Sequence, residues 1–336
     1  MSNKRAITMD DIARLARVSK PTVSRALSNS PLVKPATRRH VLSIAEAHGY
    51  AVNRNAQKLR HKRTNTIAVS LDFRSHQRNH ISDPFIFELL AGVSEALGNV
   101  NQDLLLCAPS HNDAAAFRHM LTSRAADGFI ILGQGHREAM LEEFAQAGAP
   151  LVVWGAGSEQ AGYCVVGSDN LLGGQLAARY LLGKQRKRLL YVGDTSFREL
   201  RLRRDGLRMA ADGATPGVRI EEVALSNFSY GAAFSAARQY LAGNSEVADG
   251  VFAFNDTAAM AFVRAYRDAG LRVPEDVSIV GYNDIPPAAY FSPPLTTIRQ
   301  DIYQAGRLLV SRLLALLDGE PAQSTTIRTE LIVRGT

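Results

Sequence analysis

From residue 65 onward the chain alternates between short β-branched or Leu-rich runs and longer amphipathic stretches. The runs fall at 66–71, 104–108, 128–132, 151–154, 164–167, 188–192, 251–254 and 277–280. Between them lie helical patterns such as 85–97, 172–182, 257–269 and 302–317. Strands that alternate with helices in this way build βαβ units with parallel sheets. So many elements exceed one compact sheet, so the expectation for 65–336 is a two-lobed α/β body. In such folds ligands sit beyond the C-terminal ends of the strands.

The first 64 residues have a different character. They carry 14 Lys or Arg against three acids, a net +11, whereas the rest has 25 basic against 29 acidic residues, a net −4. A basic module joined to a mildly acidic body points to a polyanionic partner for the module alone. Patterning inside the segment supports this over a solvated tail. Thr8 with Asp11 forms a capping box ahead of a first helix over 9–17, with Met9, Ile12, Ala13, Leu15 and Ala16 as its expected buried stripe. Val18-Ser19 makes a turn, Ser19 caps a second helix over 20–27, and Pro21 is tolerated in its first turn. A third helix starts at Pro35 and runs to His48, with Gly49 as its stop.

This spacing is a helix-turn-helix. Lys20, Pro21, Ser24 and Arg25 share the outward face of the second helix, the face that enters a major groove. Arg25 can donate a bidentate pair to guanine, and Lys20 can reach a base edge or a phosphate. The short hydroxyls of Thr22, Ser24 and Ser28 suit phosphate positioning. The competing reading of three such helices, a protein-interaction module, is disfavoured by the basic outward face. Residues 53–60, Asn-Arg-Asn-Ala-Gln-Lys-Leu-Arg, are a short basic helical stretch with Leu59 between two cations. An apolar side chain so placed suits a wedge between base steps of a minor groove, and so short a helix is expected to form only on DNA.

Thr8-Met9-Asp10-Asp11-Ile12-Ala13, Val18-Ser19-Lys20-Pro21-Thr22-Val23-Ser24-Arg25 and Asn53-Arg54-Asn55-Ala56-Gln57-Lys58-Leu59 resemble the DNA-binding headpiece of the LacI/GalR family of transcription factors. The resemblance covers essentially the whole chain. It implies that Thr22, Ser24, Arg25, Tyr50, Asn53, Ala56 and Gln57 contact DNA, with Leu59 as the wedge at the operator centre. Thr8, Ser19, Lys20, Pro21, Ser28, Thr37 and Arg60 complete the expected DNA-binding set. Lys34 stands where the family commonly has a small hydroxyl cap on the third helix. The implied fold is an all-α headpiece with a hinge helix over 1–64, followed by a two-lobed, type I periplasmic-binding-protein-like effector domain over 65–336.

In the body, Asp169-Asn170, Asn255-Asp256 and Asn283-Asp284 stand at strand-to-helix junctions. Singly, each reads as a helix cap. Three together, with Arg203 and Phe228 on intervening segments, supply the amides, carboxylates, guanidinium and aromatic face that a polyhydroxylated ligand requires. The segments 166–170, 203–206, 273–282 and 292–298 also resemble the family's effector core. That resemblance implies Asp169, Arg203, Phe228, Asn255 and Asn283 as effector-binding residues, with Phe85 at the cleft wall. Asn283 replaces an Asp found in many members, and the lead-in 72–83, with His76 and His80, is longer than usual. The chain looks similar to the branch associated with α-glucoside control.

A single headpiece reads half a site, so the expected partners are a second copy of the chain, joined through the first lobe, and palindromic operator DNA. The expected effector is a sugar or sugar phosphate. No heptad tail favours a tetramer. Phosphate-loop, dinucleotide-fold, nucleophile-elbow and metal-helix motifs are all missing, so neither catalysis nor a cofactor is expected. The absence of a secretory pattern or a run of ~20 apolar residues points to a cytoplasmic, nucleoid-associated protein without membrane contact. The alternative is a cytoplasmic sugar-binding protein without a regulatory role, which the body alone would fit.

Overall fold

Residues 8–50 fold as three helices because each carries its own start or stop signal. α1 (Met9–Leu15) opens at Thr8, whose hydroxyl accepts from the Asp11 amide at 3.3 Å while the Asp11 carboxylate accepts from the Thr8 amide at 3.0 Å. It ends short of residue 17 because Arg17 takes a φ of 53° and turns the chain, letting the Val18 amide donate to the Ala13 carbonyl at 3.0 Å. α2 (Lys20–Leu27) starts on Ser19, whose Oγ accepts from the Thr22 amide at 3.3 Å. α3 (Pro35–Ala47) begins with Pro35, has no side-chain cap from Lys34, and is followed by Gly49 at φ 62°. Ile12, Val23 and Val41 are wholly buried where the helices meet. Leu15, expected in that core, is 45% exposed because it lies off the stripe formed by residues 9, 12, 13 and 16.

The computed structural model describes residues 7–27, 30–50, 63–71, 83–108, 113–157, 161–213, 217–225 and 227–336. The chain divides into two units, Met1–Thr64 and Asn65–Thr336. The second unit runs β1 (Thr66–Leu71), α4 (Pro84–Asn99), β2 (Asp103–Leu106), α5 (Ala114–Thr122), β3 (Gly128–Leu132), α6 (Glu138–Gln146), β4 (Leu151–Trp154) and β5 (Cys164–Ser168). It continues with α7 (Asn170–Gly183), β6 (Arg188–Val192), α8 (Arg198–Asp212), β7 (Arg219–Val223), α9 (Tyr230–Gly243), β8 (Gly250–Ala253), α10 (Asp256–Asp268) and β9 (Ser278–Asn283). Last come α11 (Pro286–Tyr290), β10 (Thr296–Arg299), α12 (Ile302–Leu317), β11 (Thr325–Ile327) and β12 (Glu330–Ile332).

These strands form two six-stranded sheets, ordered β11-β5-β4-β3-β1-β2 and β12-β10-β9-β8-β6-β7. All neighbours are parallel except β10 and β12. β1, β3, β4, β8 and β9 are buried along their whole length, as strands covered by helices on both faces must be. The chain crosses between lobes three times: after β5, after β10 and after β11. α12 therefore packs on α4 and on β3, β4 and β5 of the first sheet, although it follows β10 of the second. Two of the crossings are tied together, since the Asp169 amide donates to the Ile327 carbonyl (2.8 Å) and the Thr329 hydroxyl to the Asp169 carbonyl (3.2 Å). Among the described residues no helix is long and apolar enough to cross a membrane.

Candidate functional site

The outward face of α2 is the first candidate surface. Lys20, Pro21 and Arg25 are exposed, Ser24 is half-buried, and with Met9 they border one shallow groove. Val23 and Ala26 on the opposite side are buried, which fixes the rotation of the helix. The Lys20 ammonium pairs with Asp10 on α1 at 2.8 Å, so its position is set by a neighbouring acid. Thr22 is half-buried and its hydroxyl lies 2.8 Å from that of Ser19, which is already engaged as a cap. Thr8 is likewise committed to the capping box. Thr37 is half-buried in the first turn of α3, and Tyr50 packs against the three-helix core. Ser28 lies outside the described residues, as does the whole hinge set of Asn53, Ala56, Gln57, Leu59 and Arg60.

The second candidate is a cleft between the lobes of the body, holding about 110 Å³ of open volume. It lies beyond the C-terminal ends of strands from both sheets, where parallel folds place ligands: Leu132 and Trp154 end β3 and β4, Phe254 and Asn255 follow β8, and Asn283 ends β9. Arg203, Phe228, Asn255, Asn283 and Phe85, all expected there, line it. Asp169 does not. Its carboxylate accepts from the Leu172 amide at 2.9 Å, capping α7, and its backbone ties the crossings. For this residue the capping role expected of an acid at a strand-to-helix junction is the one that holds.

Asn255 does both jobs. Its Oδ1 accepts from the Ala258 amide (2.8 Å) and caps α10, while its Nδ2 donates across the cleft to the Asp83 carboxylate, also at 2.8 Å. Asp83 in turn caps α4, accepting from the Phe85 amide at 3.1 Å. Two helices on opposite lobes thus meet through their capping side chains. The Asn283 Nδ2 donates to the same Asp83 oxygen at 3.4 Å, and its Oδ1 accepts from Gln300, on the second crossing, at 2.6 Å. Asn283 and Asp284 have φ of 111° and 57°, a backbone that Asn and Asp tolerate better than most side chains.

Arg203 is 7% exposed and held from three sides: Nε donates to Asn170 at 2.8 Å, Nη1 to the Phe254 carbonyl at 2.5 Å, and the guanidinium lies 3.6 Å over the Tyr282 ring. It sits on α8 at the point of closest approach to α7. A Cβ on Gly174 would lie 2.0 Å from the Arg203 carbonyl, and one on Gly206 2.1 Å from that of Leu171, so glycine on both helices lets them touch. Rings complete the wall. Phe228 packs between Phe197 (5.2 Å) and Phe254 (4.7 Å), and Phe85 stands 6.2 Å from Trp154.

Asp83, Glu199, Phe197, Trp154 and Gln300 were not anticipated as site residues. Asp83 before Pro84 reads only as a helix start, and Glu199 has the look of any acid in a first turn. The bond between Asp83 and Asn255 spans 172 residues, which no local pattern announces. Behind the cleft, Asp256 is 1% exposed. Burial pushes its carboxyl up to about 8, against the opposing pull of bonds from Thr297 (2.5 Å) and the Ile285 amide (2.8 Å).

The two units match known families in the same order. Residues 8–53 match the bacterial regulatory proteins of the lacI family, and 178–336 the periplasmic binding protein-like domain. The HTH-type transcriptional regulator CelR of Thermobifida fusca is 30% identical over 99% of both chains. A solved complex of transcriptional regulator CelR with cellobiose is 28% identical, covering 98% of this chain and 99% of that one, with a TM-score of 0.68. The lac repressor dimer bound to operator and the anti-inducer ONPF, 24% identical and covering 99% of each chain, shares the fold with a TM-score of 0.82. The helix-turn-helix followed by a cleft between two mostly parallel sheets is thus a shared architecture, and the chain belongs to the LacI family of bacterial regulatory proteins, which are DNA-binding transcription regulators.

Proposed function

We propose that this regulator is a cytoplasmic, nucleoid-associated repressor of carbohydrate-utilisation genes that acts by binding and not by catalysis. Residues 1–64 read DNA, and residues 65–336 bind a sugar effector and join two copies. Each dimer presents two α2 helices to successive major grooves of a palindromic operator, about one helical turn apart. Residues 53–60 form hinge helices at its centre, where Leu59 wedges open the minor groove. Sugar in the cleft changes how the lobes close and so alters operator affinity.

The observation that carries this reading is the outward face of α2, with Pro21 and Arg25 exposed and Ser24 half-buried beside them, on a buried three-helix frame, in one chain with a polar, ring-lined cleft. CelR, found with cellobiose, supports a sugar as the ligand class. Joining through the first lobe is supported by exposed Phe87 on α4 and Leu105 and Leu106 on the edge strand β2. Selection of randomised duplexes on the purified protein tests the reading. Enrichment of an inverted repeat is expected, and Leu59→Ala should reduce both affinity for it and its bending. Binding that depends on salt but enriches no motif would overturn it.

A further inference from the structure

Two contacts bridge the lobes at the rim of the cleft. The His136 ring, after β3 of the first sheet, packs on the Phe197 ring, after β6 of the second, with centroids 4.5 Å apart and planes at 34°. Beside it, Arg198 Nε donates to the Gly157 carbonyl, beyond β4, at 3.2 Å. In the second sheet β6 stands three strands from β10, where the chain crosses between lobes, which is roughly 14 Å at the usual strand spacing. Both contacts thus lie on the side of the second lobe away from the crossings.

The first-lobe half of this rim is fixed from beneath. Gln134, 3% exposed, accepts from the Ala156 amide at 2.9 Å and donates to the Tyr163 hydroxyl at 3.1 Å, which ties the turn carrying His136 to the turn carrying Gly157. Arg137, 4% exposed, donates to the Gly133 carbonyl at 2.6 Å and to the Ser70 hydroxyl at 3.3 Å. Between these two buried anchors His136 is exposed, so its ring is presented to the other lobe from a firm base. On the second-lobe half, Phe197 occupies the cap position of α8 and gives the helix no side-chain bond, where Ser, Thr, Asp or Asn would. The ring serves closure instead, packed against both His136 and Phe228.

We propose that His136 on Phe197 and Arg198 on Gly157 form a latch that holds the lobes together at the mouth, so that the cleft exchanges its ligand only while both contacts are released. A latch of this kind acts whatever the ligand, sugar or not. His136 and Arg198 are not among the residues lining the cleft, so removing their side chains frees the lobes to part without altering the cleft walls.

Trp154, the only tryptophan in the chain, lines the cleft and is 7% exposed, and therefore reports its opening. The test is acrylamide quenching of its fluorescence in the full-length protein. Quenching should be weak in the wild type. His136→Ala and Arg198→Ala should each raise the Stern–Volmer constant, by about twofold or more when combined, because the parted state gains population. Arg201, one turn further along α8, donates to the Thr195 carbonyl of its own lobe at 3.4 Å, and Arg201→Ala should leave the constant as in the wild type. A constant unchanged in the double variant, or raised equally by Arg201→Ala, overturns the latch. So does a wild-type Trp154 quenched as freely as in the urea-unfolded chain.

Discussion

Arg25 is the side chain best placed to read DNA sequence. It is exposed on α2 directly before the buried Ala26, so the helix cannot roll to hide it without uncovering core. Arg25→Ala should weaken operator binding by about 1–3 kcal/mol and relax preference at one base pair. Repeating the DNA selection on the variant checks this, and an equal weakening on every sequence would make Arg25 a phosphate contact instead. Asp256 makes a different kind of prediction. Its folded pKa of about 8 lies above the ordinary 3.8, so between those values the folded protein retains a proton that the unfolded chain releases. Stability from this group is fully present below about pH 4 and is lost as pH rises towards 8. Asp256→Asn should flatten that decline. Urea unfolding at pH 5 and pH 8 checks it, and parallel losses in the two proteins would remove Asp256 as the cause. The Cys107 thiol, pushed up to about 11 by burial, should resist alkylation in the native protein at pH 8.

At the scale of elements, the contact of α7 with α8 is the tightest between two described helices. A methyl at Gly206 would meet the Leu171 carbonyl at 2.1 Å, so Gly206→Ala must push the helices apart. The expected cost is roughly 1–3 kcal/mol, read as a lower Tm, together with a weaker effector response because Arg203 moves with α8. An unchanged response at lowered Tm would separate the packing from the site. Elements with local signals were the legible ones. α1 to α3 could be read from Thr8, Ser19, Pro35 and Gly49, and the buried strands from their apolar runs. β7, Arg-Ile-Glu-Glu-Val, was not legible, because it is an edge strand with three of its five residues exposed and no apolar run to mark it. β11 and β12 are three residues each and are strands only because partners more than thirty residues away receive them. The cleft follows the same rule. Arg203, Phe228, Asn255 and Asn283 could be found by type and junction, whereas Asp83 and Gln300 act through bonds that only the folded chain brings together.

For the whole molecule, the division of charge is also a division of labour. A net +11 in residues 1–64 against −4 in the rest concentrates phosphate attraction in one module. Log affinity for DNA should therefore fall steeply with log salt, and Lys58→Ala should reduce that slope by about one, measured by anisotropy titration over 50–200 mM salt. An unchanged slope would take Lys58 off the phosphates. The three crossings between the lobes bear on how the chain is made. Neither sheet is complete until β11 and β12, residues 325–332, have been synthesised, whereas every described helix of the first unit is present once residue 47 has emerged. Domains fold as they leave the ribosome, amino-terminal first. A nascent chain thus holds the three described helices of its DNA-reading module folded while the half that carries the cleft is still open, and for the length of that interval nothing bound in the cleft can act on them.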